Sequence, residues 1–204
     1  MRYLSIYTGP ERTAGPTDDE LKLVEESQKD GSLLGAEGCL PIARGALVRQ
    51  DAGSVTVTDG PFAEAKEVVG GFAILELGSK EEAIDAAKRY LDAVGTDGQC
   101  EIRELWPTPA LAGEERPKPE GTTRYLSLFR SVESEQPPTE AEIAAMNDFM
   151  QEFIANGRLH ATEGSLPSRQ GARVRRDGGE FTVIDGPFTE SKEIVGGLAV
   201  LTGE

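Results

Sequence analysis

With 204 residues, 38% of them hydrophobic and 28% charged, the chain has the composition of an ordinary globular protein and room for one large or two small domains. Its 36 acids against 21 bases leave a formal net charge of −15, which argues against a nucleic-acid partner, since no basic stripe is present to meet phosphate, and against an anionic membrane surface. The start, MRYLSIYTGPER, has no apolar run of signal-peptide length and no stretch approaches a membrane span of roughly 20 apolar residues, so a cytoplasmic location is expected.

In chain order, Arg2 to Tyr7 (RYLSIY) has the aromatic and aliphatic pattern of a short strand. Thr17-Asp18-Asp19-Glu20 has the form of a capping box and opens a helix that Gly31 ends. Leu33 to Leu40 reads as extended, and Pro41 and Gly45 mark a turn. Ala46 to Arg49 and Val55 to Thr58 form the arms of a hairpin across Asp51-Ala52-Gly53. Gly70 to Leu77 is the most apolar strand of this half. Ser79 to Glu82 is a second capping box, followed by Ala83, Ala86, Ala87, Tyr90 and Val94 at helical spacing, with Gly95 as the stop. Cys100 to Leu105 is a final strand. The two cysteines, Cys39 and Cys100, are too few for a disulfide framework and read as small buried hydrophobes.

The pattern then restarts. Residues 107–122, rich in proline and charge without periodicity, read as an exposed linker between one unit at 1–106 and another at 123–204. Arg124 to Phe129 echoes Arg2 to Tyr7, and Thr139 to Glu142 repeats the capping box. Asp59 to Leu75 and Asp185 to Leu201 align without a gap and agree at 12 of 17 positions. Each full unit reads strand, helix, strand, inserted hairpin, strand, helix, strand. That is a ferredoxin-like α+β order with an added hairpin. Nothing in the second unit matches the helix after Ser79 or the strand after Cys100, so that unit is expected to be incomplete. Two such units in one chain suggest an intramolecular pseudo-dimer, with a homodimer left open.

The E-G-x-L-P run, the hairpin, and V-T-D-G-P-F-x-E-x-K-E followed by a Gly-Gly strand resemble the YCII-related family, in its DGPF branch. The resemblance implies a dimeric α+β barrel with a cleft between packed sheets. Relatives in that wider fold include muconolactone isomerases and a dehydrochlorinase acting on a chlorinated hydroquinone. Genes of the branch often lie beside those of extracytoplasmic-function sigma factors. Some members place a His and an Asp in the cleft. Here the one histidine, His160, is matched by Leu34 in the first unit, which puts a two-histidine mechanism in doubt.

Polar residues that recur in both units are the candidates for chemistry. Asp59 and Asp185 read either as turn-fixing carboxylates or, if desolvated at a sheet edge, as general bases. Glu37 and Glu163 lie where strands meet glycine and are the next candidates for the cleft. Lys66 and Lys192, each flanked by acids, form ion pairs or clamp a substrate carboxylate. Arg49 and Arg175 hold matching hairpin positions and could bind an anion. No metal-ligand spacing and no phosphate-cradling glycine motif occur, so no metal or cofactor is expected. Three functions follow. The first is binding of a small polar or aromatic acid between two sheets. The second is proton-transfer catalysis of the lactone-isomerase or dehydrochlorinase kind. The third is a regulatory module tied to sigma factors.

Overall fold

The computed structural model describes residues 1–12, 14–61, 68–105, 123–133, 139–188 and 193–203. The first unit runs β1 (Arg2–Gly9), α1 (Asp18–Lys29), β2 (Leu33–Gly38), β3 (Ala46–Asp51), β4 (Ser54–Asp59), β5 (Val68–Glu76), α2 (Lys80–Val94) and β6 (Gly98–Glu104). The second runs β7 (Thr123–Ser131), α3 (Glu140–Ala155), β8 (Leu159–Gly164), β9 (Ala172–Asp177), β10 (Glu180–Asp185) and β11 (Ile194–Gly203). The chain is α+β, built from two copies of one pattern. The proposed linker falls in 106–122, outside the described residues.

Local chemistry sets the element ends. The Thr17 hydroxyl accepts from the Glu20 N–H at 3.1 Å while the Glu20 carboxylate accepts from the Thr17 N–H at 2.7 Å, closing the capping box. Thr139 and Glu142 do the same on α3. At α2 the box is half closed. Ser79 Oγ caps the Glu82 N–H at 3.2 Å, but the Glu82 carboxylate turns to the Gly78 N–H at 2.9 Å. Gly95, at φ +74°, ends α2 in the left-handed conformation. The β3–β4 turn places Ala52 and Gly53 at φ +46° and +83°, and the β9–β10 turn places Gly178 and Gly179 at +56° and +88°, the backbone that two-residue hairpins require.

The strands form a six-stranded sheet in the order β10-β9-β6-β1-β5-β2 and a three-stranded sheet in the order β7-β11-β8, while β3 and β4 pair with each other as a separate two-stranded hairpin. Within the larger sheet, β6-β1-β5-β2 is the ferredoxin-like order of the first unit. The other two strands belong to the second unit. Its hairpin crosses over and adds β9 to the edge of β6, with Cys100 opposite Val174 and Ile102 opposite Ala172. The bridge between Leu105 and Ser165, and the Leu166 N–H bond to the Glu104 carbonyl at 2.7 Å, extend this seam.

Side chains alternate across β1. Tyr3 and Tyr7 face α2 and pack with Ala83, Ala87, Leu91 and Val94 from the helix and with Ala172 and Val174 from the crossing hairpin. Leu4 and Ile6 face the other way and pack, with Phe72 and Ile74, against Val195, Leu198 and Val200 of the smaller sheet. The six- and three-stranded sheets therefore meet face to face, and among the described residues the strands do not close into a barrel. Cys100 is buried as expected, and burial pushes its thiol up to about 12. Cys39 departs from expectation and is exposed, because β2 ends one residue before it at Gly38. No helix among the described residues is long and apolar enough to cross a membrane.

Candidate functional site

The DGPF strings lie at the ends of β4 and β10. Gly60 donates its N–H to the Gly45 carbonyl at 2.9 Å, and Gly186 donates to the Gly171 carbonyl at 3.0 Å. A Cβ on Gly60 would stand 2.0 Å from the Ile42 carbonyl oxygen, and one on Gly186 would stand 1.8 Å from that of Ser168. Only glycine fits there. The glycine is held against a short 3-10 turn (Ile42–Arg44 or Ser168–Gln170) whose first N–H is capped by a carboxylate from the end of the unit's first strand. Glu11 accepts from the Ile42 N–H at 2.7 Å, and Glu133 accepts from both the N–H and the hydroxyl of Ser168. Desolvation alone would raise Glu133, but the two Ser168 bonds outweigh it and hold the carboxyl below its ordinary range. Phe188, the last residue of the second string, is buried and carries the Arg173 guanidinium 4.1 Å over its ring.

Asp59 and Asp185 are exposed, and Asp185 accepts from Lys80 Nζ at 2.6 Å. Neither is among the residues that line the two cavities described below. Lys66 and Lys192, and the rest of the stretches 62–67 and 189–192, lie outside the described residues. Arg49 is exposed on β3, and Arg175 is exposed on β9, opposite Gln99 of β6. Glu37 and Glu163 form a matched pair of links across the two units. Arg2 of β1 binds Glu163 of β8, with both side chains largely buried. Arg124 of β7 binds Glu37 of β2 at 3.1 Å in a far more exposed setting.

A cavity of about 320 Å³ lies between the two sheets. Ile6 and Val195 give it an apolar floor, Thr8 and Gln99 add hydrogen-bonding groups, and Glu101, Arg173, Arg130 and Glu193 bring charge. One carboxylate here serves two guanidiniums. Glu101 Oε2 accepts from Arg173 Nε at 3.1 Å and Nη2 at 3.0 Å, and Glu101 Oε1 lies 3.4 Å from Arg103 Nη1. Arg103 is only 1% exposed, gives Nη2 to the Leu166 carbonyl at 2.7 Å, and has no partner for Nε among the described residues. Burial pulls its guanidinium below its ordinary value against the attraction of Glu101, and so basic a group stays charged. Arg130 reaches the same cavity from β7.

The copies differ at this site. The position of Arg130 is held by Thr8 in the first unit, and that of Arg173 by Leu47. Both cations are thus departures of the second unit from the first. Comparing the units for matching polar residues could not find them, because their signal is the mismatch. A second hollow of about 40 Å³ lies beside Tyr7, Arg12, Cys39 and Tyr90. The Tyr7 hydroxyl there has no hydrogen-bond partner among the described residues, and burial pushes the Tyr90 hydroxyl above its ordinary range.

A family model described as the YCII-related domain matches residues 2–109 and 123–203. An uncharacterized protein of Rhizobium meliloti (strain 1021) is 36% identical over 87 residues, which is 42% of this chain and 70% of that protein. The matched stretches take in both copies of the strand–helix–strand–hairpin pattern, and the chain belongs to the YCII-related family.

Proposed function

We propose that this chain, a tandem member of the DGPF branch of the YCII-related family acting in the cytoplasm, binds a small acid in the cleft between its two sheets. The observation that carries the reading is the sharing of Glu101 by Arg103 and Arg173, with Arg130 added at the rim. Arg130 and Arg173 line the cavity together with Glu101 and Glu193, and the buried Arg103 stands behind Glu101, so guanidiniums gather at one opening of a chain whose net charge is −15. An anion entering that space meets the exposed Arg130 guanidinium at the rim and gains charge-assisted hydrogen bonds from it. The floor of Ile6 and Val195 suits an aromatic or aliphatic body behind the acid group. Catalysis by Asp59 or Asp185 has less support, since both are exposed and lie away from the cavity.

Titration with benzoate and with a short aliphatic carboxylate, followed by calorimetry or amide NMR shifts, tests the reading. Saturable binding is expected, with shifts confined to β1, β6, β7, β9 and the start of β11. Arg130→Ser should weaken it about tenfold, a loss of ~1.4 kcal/mol, at an unchanged melting temperature, because Arg130 is exposed. Binding indifferent to that change, or no saturable binding of any acid, defeats the proposal.

A further inference from the structure

The cavity between the sheets has two unlike walls. On the larger sheet, β1 and β6 set Ile6 beside Glu101 and Thr8 beside Gln99, and β9 brings Arg173 opposite Glu101. The charges of this wall are engaged with one another. Glu101 accepts from two nitrogens of the Arg173 fork, at 3.1 and 3.0 Å, and the buried Arg103 stands 3.4 Å from its other oxygen.

On the smaller sheet, Val195 of β11 pairs with Arg130 of β7, and Glu193 comes two residues before Val195. Side chains two apart along a strand share a face. Arg130 and Glu193 are therefore diagonal neighbours on this wall, about 7–8 Å apart at the backbone. Both are exposed and both line the cavity, yet neither has an ion-pair or hydrogen-bond partner among the described residues. The rim thus offers one cation and one anion side by side, over the apolar floor of Ile6 and Val195. A plain carboxylate gains from Arg130 but meets the like charge of Glu193. A plain amine meets the reverse. A molecule that carries both signs satisfies both.

We infer that the acid held in this cleft is a zwitterion of the α-amino-acid class. Its carboxylate lies on the Arg130 guanidinium, its ammonium on the Glu193 carboxylate, and its side chain on Ile6 and Val195. The inference rests on the reading that the cleft binds a small acid, and it adds the second charge. The two charged groups of an α-amino acid hang from one carbon, so they bridge neighbouring head groups that do not pair with each other. Thr8 and Gln99 offer hydrogen bonds to the remaining ammonium protons and carboxylate lone pairs. At about 320 Å³ the cavity stands at the small end of ligand pockets, which span about 300–1,000 Å³. That suits a single amino acid and leaves no room for a longer peptide.

The test is calorimetric titration of the whole chain with two matched sets of ligands. One is L-phenylalanine, hydrocinnamate and phenethylamine, and the other is L-leucine, isocaproate and isoamylamine. Within each set the apolar body is constant and only the charged groups change. In at least one set the amino acid is expected to bind about tenfold or more tighter than its acid and its amine. Glu193→Gln should bring acid and amino acid to within about twofold of each other, at an unchanged melting temperature because Glu193 is exposed. Acids that bind as tightly as their amino acids overturn the inference and leave the small-acid reading standing. Amines that do so, or no binding by any member of either set, overturn both. A preference for the amino acid that survives Glu193→Gln overturns the placement of the ammonium, and the inference with it.

Discussion

The glycine of each DGPF string stands where a backbone carbonyl takes the space a side chain would need. Gly186→Ala must displace the Ser168 turn, whose carbonyl lies 1.8 Å from the new Cβ, and should cost about 3 kcal/mol or more. Asp185→Asn removes only an exposed pair with Lys80 and should cost about 1 kcal/mol or less. Thermal melts of the two variants check this directly, and a larger loss for the aspartate would reverse the assignment. Tyr7 is held in a related way: Cβ atoms on Gly9, Gly70 and Gly98 would each fall within 3 Å of its ring or hydroxyl. Glu20 carries the acid sensitivity of this region. Burial alone would raise its carboxyl, but the Arg12 fork at 2.7 and 2.8 Å and the Thr17 N–H outweigh that and hold it below the ordinary range. Its contribution is therefore complete above the unfolded carboxylate value of about 4.3 and is lost as pH falls through the lower folded value. Glu20→Gln should lower the melting temperature at pH 7 and converge on the parent towards pH 3, as melts across that range would show.

Between elements, the two Arg–Glu links give an internal comparison of one pair in two settings. Arg2–Glu163 is buried, so Glu163→Gln should cost about 3 kcal/mol. Arg124–Glu37 is half exposed, so Glu37→Gln should cost about 1 kcal/mol or less. Denaturant titrations of both variants measure the difference. Much at this scale was legible in the sequence. Thr17 and Thr139 announced their helices because a capping box is local chemistry, and the first hairpin turn was written in Asp51-Ala52-Gly53. The Arg–Glu links were not legible. Both partners recur in the two units, but spacing cannot say that Arg2 reaches the other unit's glutamate. The crossing of β9–β10 was hidden for the same reason, since strand alternation fixes a buried face and not the sheet that supplies a neighbour. The cleft between sheets was anticipated, but the residues named for it were those the copies share, whereas its cations sit where they differ.

At the scale of the molecule, β9 lies in one sheet with β6, and α2 packs on Ala172 and Val174, so the two units are not separable bodies. A specific protease site placed within residues 110–118 and then cleaved should leave two fragments that co-elute on gel filtration at neutral pH and part only in denaturant. Separation under native conditions would contradict the observed seam. The crossing also orders events in time. The chain leaves the ribosome from its N-terminus at roughly 5–20 residues per second, and the first sheet lacks its outer two strands until Asp185 has emerged. β6 must therefore wait, with one edge open, through the synthesis of most of the second unit. A nascent chain stalled before Ala172 should recruit holdase chaperones that a chain released after Asp185 no longer needs.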